Sequence, residues 1–381
     1  MRSRHVTRWW AAALVCAAAV TGGAAAKETG GSNASAGSGA ARTAPRPRLP
    51  QRLSETGLYR DMTRLVVDAR NVSYTPQYPL WSDGAAKRRW LRLPDGQAID
   101  AALIDAWEFP VGTRFWKEFS FNGRRVETRV LLKVAAVRWE FASYVWNDAQ
   151  SDATRAPAGG VANAVEIAPG KWHSIPSVDE CRACHDSNRT EPLGFTALQL
   201  SDDRDPLAVH GETPDAEAAT FRHLIERGLL RNVPPERRGT DPVIPASSPR
   251  ERAALGYLSA NCGACHNTVG PLASLGLSFR QPAYGGGLGV VQASLVRRTK
   301  WDRPGAPPES TRVVDLDAPD LSALLIRMKS RRPTSQMPPL GTVVPDHDAL
   351  AVISGWVLDE LAKSRPRAVA DASDTSGRRR P

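Results

Sequence analysis

Two pentapeptides constrain this chain more than any other feature. Cys181-Arg182-Ala183-Cys184-His185 and Cys262-Gly263-Ala264-Cys265-His266 share the spacing C-x-x-C-H and use four of the five cysteines. Two thiols one helical turn apart, followed at once by an imidazole, are what covalent attachment of a c-type haem needs. The thiols add to the two vinyl groups on one porphyrin edge, and the histidine reaches the iron from below. The rival readings are two short disulfides or a shared zinc site. Zinc sites usually bring their ligand pairs closer in sequence, and neither rival explains a histidine directly after both pairs. The helix leading into the second pentapeptide is well specified. Ser248 caps it, Pro249 takes the tolerated first position, and Glu251 completes a Ser-x-x-Glu capping box.

The start of the chain bears on how the cysteines are read. Arg2, Arg4 and Arg8 precede an apolar run from Trp9 to Val20 and a small-residue cleavage site at Ala24-Ala25-Ala26. That is a secretory signal, expected to cover residues 1–26 and to take Cys16 with it. No stable membrane span is expected after its removal. Outside the cytoplasm, reduced C-x-x-C pairs do not persist unless something consumes them, which favours haem; the expected location is the periplasm.

The formal net charge is +10, but the basic excess lies in residues 1–53 and 364–381. Residues 54–363 are balanced, so a nucleic-acid surface has no support. Residues 27–53, rich in Gly, Ser, Ala and Pro, read as a disordered linker, and 364–381 as a disordered basic tail.

From 54 to 172 the pattern is of short strands forming a β-rich accessory domain. Apolar and charged residues alternate over 88–94, 113–121, 124–136 and 137–147, and Asn122-Gly123 marks a hairpin. Trp81, Trp90, Trp107, Trp116, Trp139 and Trp146 fall here and read as core rather than as a stacking surface. Asp83, Lys87, Glu118 and Glu127 read as solvated strand faces. A first haem segment follows over 173–247, with a helix expected to open at Thr213-Pro214. His185 is the proximal ligand there. Candidates for its opposite ligand are His173, His210, His223 and Met62, with His210 preferred because it lies on a flexible segment. The last segment, 248–363, contains the second motif, and Met337 lies on a Pro-rich loop suited to hold a thioether opposite His266. Asp346 caps a final helix. Gly285-Gly286-Gly287 is only a loop signal, without the βαβ setting of a dinucleotide site.

YPLWSDGAAKRRW (78–90), FPVGTRFWKEF (109–119), VETR (126–129), IPSVDECRACH (175–185), YLSANCGACHN (257–267) and LSALLIRMKSRRPTSQMPPLG (321–341) occur in that order. This pattern resembles a family of exported bacterial di-haem c-type cytochromes with an N-terminal β-rich region, over about Asn71 to Lys363. The C-terminal part also resembles class I cytochrome c. By that resemblance Cys262, Cys265, His266 and Met337 match attachment, proximal and distal positions, and Cys181, Cys184 and His185 match the first haem site.

The expected architecture is therefore multidomain: an N-terminal all-β, sandwich-like domain, then mainly α cytochrome c-type haem domains. The expected function is electron transfer between redox partner proteins through two covalent haems. One alternative is a peroxidase-like haem enzyme with an open first haem. Another is an extracellular ligand-binding module with a haem relay.

Overall fold

Strand-forming alternation, not helix, dominates the molecule. The computed structural model describes residues 48–187 and 192–363. The expected signal segment, residues 27–47 of the expected linker and the expected tail lie outside the described residues. In chain order the strands are β1 (Tyr59–Asp61), β2 (Val66–Val67), β3 (Val72–Ser73), β4 (Ala86–Arg92), β5 (Ile99–Asp100), β6 (Arg114–Phe121), β7 (Arg124–Ala135), β8 (Arg138–Trp146), β9 (Ala153–Arg155), β10 (Val161–Ala168) and β11 (Lys171–Ile175). Then come α1 (Val178–His185), α2 (Phe221–Glu226), β12 (Leu230–Arg231), α3 (Pro249–Asn261), α4 (Leu288–Leu295), α5 (Ala323–Lys329) and α6 (His347–Gly355).

The frame is one six-stranded sheet in the order β3-β4-β6-β7-β8-β9, antiparallel throughout. Asn122 and Gly123 join β6 to β7 with φ of 49° and 75°. That double left-handed turn matches the twist of a tight hairpin, and Gly123 adopts it without a Cβ penalty. Alternate residues of a strand share a face, so the register sets out rows across the sheet. Leu91, Phe115, Leu131 and Phe141 form one row. Arg89, Lys117, Arg129 and Ser143 form the next on the same face, and Lys87, Phe119, Glu127 and Val145 the third. The opposite face carries Trp90, Trp116, Val130 and Ala142.

Each face has its own core. Trp90, Trp116, Tyr144 and Trp146 pack with Leu49, Leu53 and Leu58 on one side. Residues 48–53, expected at the end of the linker, therefore belong to the fold; Leu53 is fully buried, and the Pro50 carbonyl accepts from the Tyr144 hydroxyl at 2.8 Å. On the other side, Leu91, Phe115, Leu131 and Phe141 join one continuous core with Phe195, Phe221, Leu255, Leu258, Leu325, Ile353 and Trp356. Trp107 and Trp139 lie in that core as well, while Trp81 stacks on His210 at 4.8 Å.

This architecture corrects the expected fold class. The chain is mostly β, with twelve strands against six short α-helices among the described residues, and it holds no mainly α cytochrome c-type haem domain. Nor is the β region a sandwich: β4, β6, β7 and β8 are covered by the short β1–β2 ladder and N-terminal segment on one face, and by helices and irregular chain on the other. Helix α3 is the longest at 13 residues, and α4, α5 and α6 have 8, 7 and 9. Stretches rich in Pro and Gly separate them, and those residues cannot propagate a helix. The helix expected to open at Thr213-Pro214 begins only at Phe221, because Thr220 supplies the cap by accepting from the His223 N–H at 3.2 Å.

Candidate functional site

Both C-x-x-C-H motifs sit at positions where local sequence sets a tight helical turn. Ser177 accepts from the Glu180 N–H (3.1 Å) and the Glu180 carboxylate accepts from the Ser177 N–H (2.8 Å), a complete capping box that starts α1 at Val178, three residues before Cys181. Cys181, Cys184 and His185 thus lie within one helix. At the second motif Ser248 caps α3, accepting from the Glu251 N–H at 3.0 Å, but Glu251 reaches back to Ser247 instead of Ser248. Cys262 closes α3, and its carbonyl then accepts from the Cys265 N–H (3.1 Å) and the His266 N–H (2.8 Å).

The fold brings the two motifs together. The Cys184 and Cys265 thiols lie within hydrogen-bonding reach of each other. Asn267, 2 % exposed, ties the two turns. Its Nδ2 donates to the carbonyls of Ser187 (2.9 Å), Gly263 (3.2 Å) and Ala264 (2.9 Å), while its Oδ1 accepts from Val269 (2.9 Å) and Gly270 (2.7 Å). Asn267→Ala is expected to reduce unfolding free energy by about 2–4 kcal/mol, since it strands several buried polar groups at about 1 kcal/mol or more each. Urea unfolding of the variant measures this, and a loss below about 0.5 kcal/mol would remove the tie from the account.

The thiols are electrostatically distinct. A hydrogen bond from Cys265 holds the Cys184 pKa down to about 7, against its burial and with help from the charges of Arg129 and Lys117. Burial pushes Cys181 up to about 11 and Cys262 up to about 12. Burial, and then the Arg327 charge, lower the His266 pKa below the ordinary histidine value. Its Nδ1 is buried without a hydrogen-bond partner, and Phe279 stands edge-on to the ring at 5.8 Å. His185 lies against Phe141 at 5.1 Å. An open cleft of about 500 Å³ borders Cys181, walled mostly by small residues such as Ala142, Ala156, Pro157, Ala158 and Pro176. That volume is within the range of cofactor pockets. At the first motif, the paired thiols of Cys181 and Cys184 beside this cleft are of the kind a c-type haem would use; at the second, the paired thiols stand beside a buried imidazole with an unpartnered nitrogen. Among the described residues, no three His, Cys, Asp or Glu side chains are grouped as a metal ion would need.

The expected distal ligands are placed unequally. Met337 is anchored through its N–H to the Arg327 carbonyl (3.0 Å) on α5, the helix whose Arg327 charge acts on His266. His210, expected over the first haem, is committed elsewhere: its Nε2 lies 2.9 Å from Asp346 at the start of α6, its Nδ1 faces Asp348 at 3.9 Å, and its ring stacks on Trp81. His223 Nδ1 faces the Ala218 carbonyl at 3.4 Å, and Met62 packs against the core on the far face of the sheet.

His173 stands between two carboxylates, with Nδ1 3.1 Å from Asp83 and Nε2 3.4 Å from Glu127. Burial works against its charge, yet those two partners raise its pKa above the ordinary histidine value. Glu127, wholly buried, also takes the Arg129 Nε at 3.0 Å, and Arg129 lies near Cys181 and Cys184. Asp83, Glu118 and Glu127 are thus interior, at 6 %, 4 % and 0 % exposure, where solvated strand faces were expected. Sequence reasoning missed the role of Asn267 altogether; its place directly after the second motif was the available signal.

No protein-family model, curated protein or solved structure matches the chain. Among the described residues no helix is long and apolar enough to cross a membrane.

Proposed function

We propose that this chain is an exported, periplasmic di-haem c-type cytochrome that carries electrons between redox partner proteins. The observation that carries the reading is the pair of C-x-x-C-H turns held side by side through Asn267, with Cys184 and Cys265 in reach of each other. Haem, when bound, supplies one-electron oxidation and reduction. Cys181 and Cys184 would hold one haem and Cys262 and Cys265 the other, with His185 and His266 as proximal ligands. Met337, on its anchored loop, is the proposed distal ligand to the second. The six-stranded sheet supplies a stiff floor, so that little rearranges around the site when its charge changes.

Mass spectrometry of the exported protein is expected to show two haem additions, lost one at a time in Cys181→Ala/Cys184→Ala and Cys262→Ala/Cys265→Ala. Free thiols or disulfides in the active protein would refute the reading. A second reading, a haem enzyme with an open first site, is favoured by the engagement of His173, His210 and His223 with other partners. Fast cyanide binding at one of the two haems selects the enzyme; slow binding at both selects the carrier.

A further inference from the structure

Four thiols in two adjacent turns can pair within each motif or across the two. The first motif is a poor place for an internal pair. Cys181 and Cys184 stand three residues apart inside α1. Side chains at that spacing on a helix hold their Cβ atoms about 5–6 Å apart, whereas a disulfide needs about 3.5–4.5 Å. Closing that bridge asks the helix to distort, against the capping box that starts it. Across the motifs, the Cys184 and Cys265 thiols already lie within hydrogen-bonding reach. Both residues are only half-buried.

The surroundings hold this approach in place. Asn267, two residues after Cys265, donates to the carbonyl of Ser187, three residues after Cys184. Gly270 comes so near that a Cβ there would stand 2.5 Å from the same carbonyl, closer than a side-chain carbon tolerates. The Ser187 hydroxyl donates to the Ala183 carbonyl at 2.6 Å, which ties the meeting point back to the end of α1. Joining the two sulfurs therefore asks for side-chain adjustment between turns already fixed side by side.

We propose that Cys184 and Cys265 form a disulfide that clamps the two motifs together while their thiols are free. The bond forms by exchange with a disulfide of the surroundings. Each cysteine gives up its S–H proton, the two sulfurs share a new bond, and the two electrons reduce the incoming disulfide to two thiols. A dithiol reverses the step. The bridge takes one cysteine from each motif, so it withholds both pairs at once from any group that needs two thiols. The loop it closes, from 184 to 265, is long, and constraining a long loop stabilises the fold. The inference goes beyond electron carriage and stands whichever group later takes the thiols.

The test uses the full chain, exported from cells without haem-attachment machinery and incubated with oxidised glutathione. It is then alkylated with iodoacetamide and cut with trypsin without reduction. Arg182 separates the first two cysteines, so Cys181 falls in peptide 172–182, Cys184 in 183–189, and Cys262 with Cys265 in 253–280. Mass spectrometry is expected to find 183–189 joined to 253–280, retained in Cys181→Ala/Cys262→Ala and lost in Cys265→Ser. Reduction is expected to lower the melting temperature of the oxidised wild type by about 5 °C or more, and to leave that of Cys265→Ser unchanged. If the double variant fails to fold, the wild-type peptides and the melting difference still decide. Joining of 172–182 to 183–189, loss of the bridge in Cys181→Ala/Cys262→Ala that still melts cooperatively, or no bridge between 183–189 and 253–280 in cooperatively melting wild type overturns the proposal.

Discussion

Replacing Glu127 by alanine is expected to lower the unfolding free energy by about 3–5 kcal/mol, the range for breaking a buried ion pair from one side. Glu127 is fully buried on the sheet face that carries Lys87, Arg89, Lys117 and Arg129. It is the anion that receives both Arg129 and His173. His173 in turn contacts Asp83, whose other oxygen accepts from the backbone N–H groups of Val343 (2.7 Å) and Val344 (3.1 Å). Glu127 therefore links the sheet, the β10–β11 ladder and the chain before α6. Without it, the half-buried Arg129 loses its carboxylate partner and His173 keeps only Asp83. Glu127→Gln keeps the shape and one acceptor, so a smaller loss is expected. Urea denaturation compares the two. A loss below about 1 kcal/mol for the alanine variant would mean that Arg129 simply swings out to water.

The same network sets a pH window. The folded-state pKa of His173 is raised, so its contribution is fully present below about 6.5, the ordinary histidine value, and is lost as pH rises through the folded value. Glu127 is held down to about 2, its burial being outweighed by Arg129 and His173. Its contribution is present above about 4.3, the ordinary glutamate value, and is lost as pH falls toward the folded value. The network is thus most stabilising between those two ordinary values. His173→Gln should flatten the alkaline side of the stability profile.

Those interior charges also mark where sequence reading stops. Strands β4, β6, β7 and β8 were legible because alternation has a period of two and Asn-Gly allows only a few turns. Alternation cannot say whether a polar strand face meets water or another part of the chain. Asp83 and Glu127 look solvated from their neighbours in sequence, yet residues 90 and 260 positions away pair with Asp83, and one 46 positions away pairs with Glu127. The fold class of the C-terminal half failed for a related reason. Its helical runs satisfy local rules at Ser248 and Asp346, but those rules say nothing about the Pro- and Gly-rich chain between them, nor that its apolar residues share one core with the sheet. The C-x-x-C-H turns were legible residue by residue. Their side-by-side placement was not, because it depends on one asparagine and on contacts between separate segments.

Gly256 offers a test of that long-range packing. In a helix interior, alanine is normally favoured over glycine by about 1 kcal/mol, so Gly256→Ala should stabilise α3 on local grounds. The structure predicts the opposite sign. A Cβ at 256 would overlap carbons of the Tyr78 ring. Tyr78 cannot swing aside easily: it is 2 % exposed, its hydroxyl donates to Asp205 at 3.1 Å, and its N–H donates to the Gln199 side chain at 3.0 Å. Overpacking of this kind costs about 1–3 kcal/mol and sometimes more, and here both partners are backbone-anchored. A net loss of about 1–2 kcal/mol is therefore expected, largely relieved when Gly256→Ala is combined with Tyr78→Leu. Because α3 ends at Cys262 and Asn261 accepts from the Trp81 N–H at 2.7 Å, the displaced helix should also move the second C-x-x-C-H turn. Thermal unfolding of the single and double variants, with the Soret spectrum of each, reads both effects. A more stable single variant would show that α3 does not rest on Tyr78.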